Sequence, residues 1–244
     1  MFWPILGRGK KMATTHTHPG PFIRFASSPW NEYVSHGIRC AFPARSTILH
    51  PGDRLEHLHF VRSGDILATH YYSDEDSFRV NIIGENAVAG IFELFAPVPP
   101  KASWYCLGAC ECCLFTREQM ERELPPFLLT NLLEQAALMG TTMIERFTQG
   151  ADKRNDIRLA RFLLHYVETS KSRECGDGTV TIIPSITQEL SSELLGMHPV
   201  TFNRLLGQFR KRGIIGKSKK SGLEILDARA LARCAEGGMS SLAQ

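Results

Sequence analysis

Between residues 185 and 226 the chain reads SITQELSSELLGMHPVTFNRLLGQFRKRGIIGKSKKSGLEIL, and few folds accommodate that order. The first twelve residues have helical spacing, with Leu190, Leu194 and Leu195 facing inward. Gly196 supplies a turn residue free to take positive φ. His198 precedes a proline and is pushed out of helical geometry, whereas Pro199 suits the first position of a helix, where a missing N–H costs nothing. A second helix is predicted over 200–212. Phe202, Leu205, Leu206 and Phe209 fall at i, i+3, i+4 and i+7 and face a core, leaving Val200, Thr201, Asn203, Arg204 and Gln208 on the other side. Ile214-Ile215, a Lys-Ser-Lys-Lys-Ser-Gly turn and residues 223–226 then predict a hairpin. Helix, glycine turn, helix and lysine-tipped hairpin together predict a winged helix-turn-helix.

The charge distribution agrees. The formal net charge is only +3, yet no acid lies between Glu193 and Glu224, while Arg204, Arg210, Lys211, Arg212, Lys217, Lys219 and Lys220 do. A basic block on a near-neutral chain points to a polyanion. A groove-reading helix must expose groups that bond base edges. Arg204 can donate a bidentate pair to guanine, Asn203 can pair with adenine and Val200 can touch a thymine methyl. Thr187, Gln188, Thr201, Lys217, Lys219 and Lys220 suit phosphate oxygens, which fix register but not sequence. The predicted partner is double-stranded DNA.

Upstream the pattern is different. Residues 25–122 carry 8 Lys/Arg against 12 Asp/Glu, and short apolar runs alternate with turn signals. The runs are STILH, LHFVRSG, DILATHYY, FRVNII and SWYCLGACECCLFT; the breaks are Pro51-Gly52-Asp53, Ser63-Gly64-Asp65, the acidic stretch 73–77 and Gly84-Glu85-Asn86. β-Branched and aromatic residues at such spacing predict an antiparallel sandwich or barrel. TREQMEREL predicts a short helix capped by Thr116, and Pro125-Pro126 ends it.

Residues 127–147 hold no proline. Leu129, Leu132, Ala136, Met139 and Met143 step by 3, 4, 3 and 4, the spacing of a two-helix seam, and Leu133, Ala137, Gly140, Ile144 and Phe147 form a second stripe. One stripe can cover the β domain while the other seeks a partner. Small residues at 136, 137 and 140 permit close helix approach, so Leu129, Leu132, Ala136, Met139 and Met143 are predicted as a homodimer interface. The polar stretch after Gly150 marks a hinge, and another helix is predicted over 157–169. The expected division is an irregular tail (1–24), a β-roll sensing domain (25–124), a dimerisation helix (125–150) and a winged helix-turn-helix domain (151–238), an α+β chain. Met12 is an alternative expected start, with residues 1–11 an extension.

The chain has 7 cysteines at irregular spacing, which predicts reduced, mostly buried thiols. No apolar run reaches membrane-spanning length, and the first residues make a poor signal peptide. A cytoplasmic protein without membrane contact is expected.

The order β-roll, long helix, winged helix-turn-helix resembles the CRP/FNR superfamily of bacterial transcription regulators. The likeness is carried by TFNRLLGQFRKRGII, similar to the FNR-type recognition helix, and by ILHPGDRLEHLHFVRSGDI, similar to the β-roll pattern. WNEYVSHGIRCAFPARSTIL and GMHPVTFNRLL also resemble the reductive-dehalogenation branch. The resemblance implies base reading by Val200, Asn203 and Arg204, a palindromic operator, and RNA polymerase as a further partner. Both main types carry glutamate where this chain has Val200, so its operator should differ. Cyclic-nucleotide-binding relatives hold the phosphate with Gly-Glu-Leu and a later Arg-Ser. Here the segment is Gly90-Ile91-Phe92-Glu93-Leu94, then Pro97 to Ala102 with Lys101 and no arginine. A different effector is expected, in an apolar or aromatic pocket formed by Gly90, Phe92, Glu93, Lys101, Trp104, Tyr105, Met143 and Ile144.

No cofactor or metal is expected, and the chain reads as a regulator rather than an enzyme. Two alternatives stay open. One is a haem or redox sensor of the same architecture, with His16, His18, His36 and His50 as candidate haem ligands. The other is a cupin-like metal enzyme, since His57 and His59 share a strand face; the remaining cupin ligands are missing.

Overall fold

The computed structural model describes residues 20–71, 77–97, 99–150, 154–169, 172–174, 180–182, 186–216 and 223–237. In chain order its first elements are β1 (Phe22–Ile23), β2 (Ile38–Phe42), β3 (Thr47–Leu49), β4 (His57–Ser63), β5 (Ile66–Tyr71), β6 (Ser77–Ile83) and β7 (Val88–Ala89). Helix α1 (Ile91–Phe95), β8 (Ala102–Cys106), β9 (Cys110–Thr116), α2 (Arg117–Arg122), α3 (Pro126–Gly150) and α4 (Asn155–Thr169) follow. The chain continues through β10 (Ser172–Glu174), β11 (Val180–Ile182), α5 (Gln188–Leu194), α6 (Pro199–Lys211), β12 (Leu223–Ile225) and α7 (Ala228–Gly237).

Two sheets face each other: five strands in the order β1-β6-β5-β8-β3, and four in the order β2-β9-β4-β7. The expected run SWYCLGACECCLFT is broken at residues 107–109, so that β8 lies in one sheet and β9 in the other. The turn between β4 and β5 also changes sheet. Each change turns the inward face of a strand onto the same core, where Trp30, Leu58, Phe60, Ile66, Trp104 and Phe115 are fully buried. The tail expected over 1–24 is not irregular at its end: β1 pairs parallel with β6, Phe22 opposite Ile82 and Ile23 opposite Ile83, and both its residues are buried. Helix α2 opens with the predicted cap. Thr116 Oγ1 accepts from Gln119 N, and Gln119 Oε1 accepts from Thr116 N.

Helix α3 lies on the roll through Leu128, Leu132 and Met139. Two buried polar residues key it in place. Asn131 Oδ1 accepts from Trp30 Nε1 at 3.0 Å and from Gln135 Nε2 at 2.9 Å, and Gln135 Oε1 accepts from the backbone N of Val88 at 2.9 Å. Buried amides bonded in this way fix rotation about the helix axis, because any other rotation leaves them unpaired.

That rotation corrects the predicted seam. Leu132 and Met139 are spent on the chain's own core, and Ala136 and Met143 are half-buried. Of the five predicted residues only Leu129 stands clear, at 48% exposure. The open row is Leu129, Leu133, Ala137 and Ile144, with Leu133 and Ile144 at 62% and 66% exposure. Both stripes had the same period, so spacing could not choose between them. The side chain of Phe147 lies outside the described residues.

A second core joins the C-terminal helices: Leu159, Leu163, Phe202, Leu205, Phe209, Ile214 and Leu231 all belong to it. It also takes in Phe22, Leu67 and Ile82 from the outer face of the five-stranded sheet. Strands β10, β11 and β12 form a small antiparallel sheet beside these helices. Neither β10 nor α7 is anticipated by the sequence pattern.

Candidate DNA-reading surface and sensor pocket

Helix α5 begins at Thr187, whose Oγ1 accepts from Leu190 N at 3.1 Å. It ends at Leu195, after which Gly196 takes φ 56°. Gly196 N donates to Glu193 O at 2.8 Å and Met197 N donates to Ser192 O at 2.9 Å. This pair is a Schellman closure, which needs a left-handed residue at the glycine position. Met197 tucks its side chain under the turn, and Arg158 Nη2 donates to the carbonyl of Leu195. His198 caps α6, its Nδ1 accepting from Val200 N at 3.3 Å, and Pro199 occupies the first turn. The two helices are thus set by local chemistry and then locked by Phe202, Leu205, Leu206 and Phe209, all buried.

The other face of α6 is open. Val200 is 68% exposed, Asn203 and Arg204 are exposed, and Lys211 and Arg212 continue the exposed positions at its end. Val200, Asn203 and Arg204 are therefore neighbours on one helix face. Thr187 and Gln188 are exposed at the start of α5 and Thr201 is half-buried. Thr187 already spends its hydroxyl on its own helix. Beyond α6, Gly216 N donates to Glu224 O, and Ile215 bridges to Ile225, which forms the base of the predicted hairpin. Lys217, Lys219 and Lys220 lie outside the described residues.

The roll gathers only part of the predicted pocket. Gly90 caps α1 at φ 98°, and a Cβ there would lie 2.9 Å from Trp104. Glu93 is half-buried; burial pushes its carboxyl up, while its own backbone N–H and the Trp104 indole pull the other way. The Trp104 Nε1 points toward that carboxyl without reaching hydrogen-bond geometry. Tyr105 follows Trp104 on β8 and so lies on the opposite face, beside Leu67 of β5. Lys101 is exposed, Phe92 is 48% exposed and Ile144 stands on the open row of α3. Gly90, Glu93 and Trp104 therefore come together, Met143 is half-buried on α3, and Phe92, Lys101, Tyr105 and Ile144 face outward. Period-two alternation forbids two successive strand residues from lining one cavity, which the residue types alone concealed.

His57 and His59 also part company. His57 is half-buried, whereas His59 is buried, with its Nδ1 3.0 Å from the carbonyl of His57 and its ring edge-on to Trp104 at 5.4 Å. Burial lowers its pKa to about 4. Among the described residues no group of three His, Cys, Asp or Glu is arranged to hold a metal ion. His36 and His50 are exposed, and His16 and His18 lie outside the described residues. The six described cysteines are unpaired. Burial pushes the Cys110 thiol up to about 12 and those of Cys112 and Cys113 upward, so all three stay protonated at neutral pH.

A β-roll keyed to a long helix and followed by a helix-turn-helix is the architecture of a two-domain, DNA-binding regulator. Residues 39–124 match the cyclic nucleotide-binding domain and residues 157–234 match the Crp-like helix-turn-helix domain. The chain belongs to the CRP/FNR superfamily of transcription regulators, DNA-binding proteins with a ligand-binding domain. The global nitrogen regulator of Nostoc sp. is 27% identical over 186 residues, 73% of this chain and 81% of that protein. The global nitrogen regulator of Synechocystis sp. is also 27% identical, over 190 residues, 73% of this chain and 80% of that protein. In fold the chain is similar to a CooA mutant from Carboxydothermus hydrogenoformans (TM-score 0.69, 16% identity, 86% of this chain and 92% of that one). It is likewise similar to CprK complexed with OCPA (TM-score 0.61, 20% identity, 85% of this chain and 95% of that one). No helix among the described residues is long and apolar enough to cross a membrane.

Proposed function

We propose that the chain works as a homodimer that reads a palindromic operator and answers to a small-molecule effector other than a cyclic nucleotide. The division of labour follows the expected boundaries: sensing by residues 25–124, pairing by 125–150 and DNA binding by 151–238. The observation that carries the reading is the open face of α6, where Val200, Asn203 and Arg204 stand exposed above a fully apolar inner face. Arg204 and Asn203 read base edges, Val200 meets a thymine methyl, and Thr187, Gln188, Thr201, Lys217, Lys219 and Lys220 meet phosphates. Pairing uses the open row of α3, since Leu129, Leu133 and Ile144 would otherwise leave a long apolar stripe in water.

The effector sits between the roll and α3, beside Gly90, Glu93 and Trp104. Against a cyclic phosphate stands the charge of the lining: among the described residues no Lys or Arg is buried, and Lys101 is exposed. Effector binding shifts a pre-existing equilibrium toward the state whose recognition helices lie one DNA turn apart, roughly 34 Å. RNA polymerase is the further partner of an activator of this design. The test is DNA binding by the purified full chain to the region upstream of its own gene. Ordered, dimeric binding at one palindrome supports the reading; a lone subunit on single half-sites overturns it.

A further inference from the structure

The DNA-reading module is fastened to the roll by a contact that bypasses the covalent path through residue 150. Phe22 of β1 is fully buried between the five-stranded sheet and α4. Its ring stacks on Tyr166 at 4.5 Å and 7° and meets Phe162 at 5.6 Å. Its backbone is gripped as well. His165 Nε2, buried on α4, lies 2.9 Å from Phe22 O and 3.3 Å from Phe22 N, so it donates to the carbonyl or accepts from the amide according to its tautomer. Arg24 pairs with Asp65 of the roll at 2.7 Å, lies over the Phe22 ring and donates from Nη1 to Thr169 O at the end of α4. Gly20 completes the grip: a Cβ there would fall 2.0 Å from the His165 ring. A single covalent joint leaves the orientation of a module to be set by its non-covalent contacts. Here those contacts are supplied by a two-residue strand and the outer face of the sheet that holds it.

We infer that β1 is a positioning clamp: by fastening α4 to the roll, Phe22, Gly20 and His165 set which half-site separation the dimer accepts. The inference rests on the dimeric, palindrome-reading function proposed above. Adding one base pair between half-sites rotates one of them by about a tenth of a turn around the helix. A reader clamped in one stance must reject that site, whereas an unclamped one can follow it. Base choice within each half-site belongs to α6 and should not change.

The test is selection by the full chain from a duplex pool with randomised half-sites and graded spacer lengths. Wild type should enrich one spacer by about tenfold over its neighbours, the scale of one mismatched position. Phe22→Ala and Gly20→Ala should spread across several spacers while keeping the same half-site bases. Phe22→Leu, which keeps the apolar fill, should retain the wild-type spacer. Unchanged spacing in both disruptive variants would overturn the clamp, and so would a changed half-site motif, which means a damaged reader. Wild type enriching half-sites with no preferred spacing would instead remove the dimeric reading, and the inference with it.

Discussion

Arg204 is exposed on α6 one position after Asn203, with the buried Leu205 directly behind it. A planar guanidinium can offer a guanine edge two parallel N–H donors, which offsets the rotamer entropy that the long side chain gives up. Replacing it with alanine should weaken operator binding by about 1–3 kcal/mol while leaving binding to random DNA nearly unchanged. Competition assays with operator and random duplex measure both; equal losses would show a phosphate contact. At the same scale, His59 makes stability depend on pH. Its folded pKa of about 4 lies below the ordinary 6.5, so the unfolded chain takes up the proton first as pH falls. The stabilisation is complete above pH 6.5 and is lost as pH drops toward 4. The change is on the order of 2–3 kcal/mol. In urea titrations between pH 7.5 and 4.5, wild type should lose that stability relative to His59→Leu. Curves that stay parallel would mean that His59 protonates equally in both states.

At the scale of elements, α3 shows what the sequence displayed and what it withheld. The existence and length of the helix were legible, because residues 127–147 hold no proline and keep an apolar period. Its rotation was not, because Leu132 and Leu133 are the same residue type one position apart. The deciding groups were Asn131 and Gln135, whose amides bond to Trp30 and Val88, partners 101 and 47 residues away. Two opposite outcomes follow. Leu132→Ala should cost about 2–5 kcal/mol of folding stability, as burial in a packed core requires. Leu133→Glu should leave the fold intact and abolish dimers, visible as a halved mass in light scattering. The helix-turn-helix was legible through its glycine, its proline and its buried face, which act locally; the caps supplied by Thr187 and His198 were not. β1 was not, because a two-residue strand has no period; nor was the outward turn of Tyr105, which depends on where β8 begins.

For the whole molecule the relevant fact is that its two cores meet at the outer face of one sheet. Phe22, Leu67 and Ile82 belong to the roll by chain position and to the reader by packing. Heat should therefore melt roll and reader in one cooperative transition, and Phe22→Ala should split it in two; a split already present in wild type would contradict the shared packing. DNA affinity should fall steeply with salt, since each phosphate neutralised adds about 0.9 to the slope of log K against log salt. Lys219→Ala should reduce that slope by about one without changing which sequence is preferred. A sequence-selective loss would assign the residue to base contact instead.

The buried indoles have a practical corollary. The chain has three tryptophans, and the two described ones, Trp30 and Trp104, both sit at zero exposure inside the roll; none occurs after residue 104. Their fluorescence thus follows the sensing half, while far-ultraviolet dichroism is weighted toward the helices from α3 onward. Unfolding of one half without the other would register as a divergence between two optical signals from the unlabelled protein.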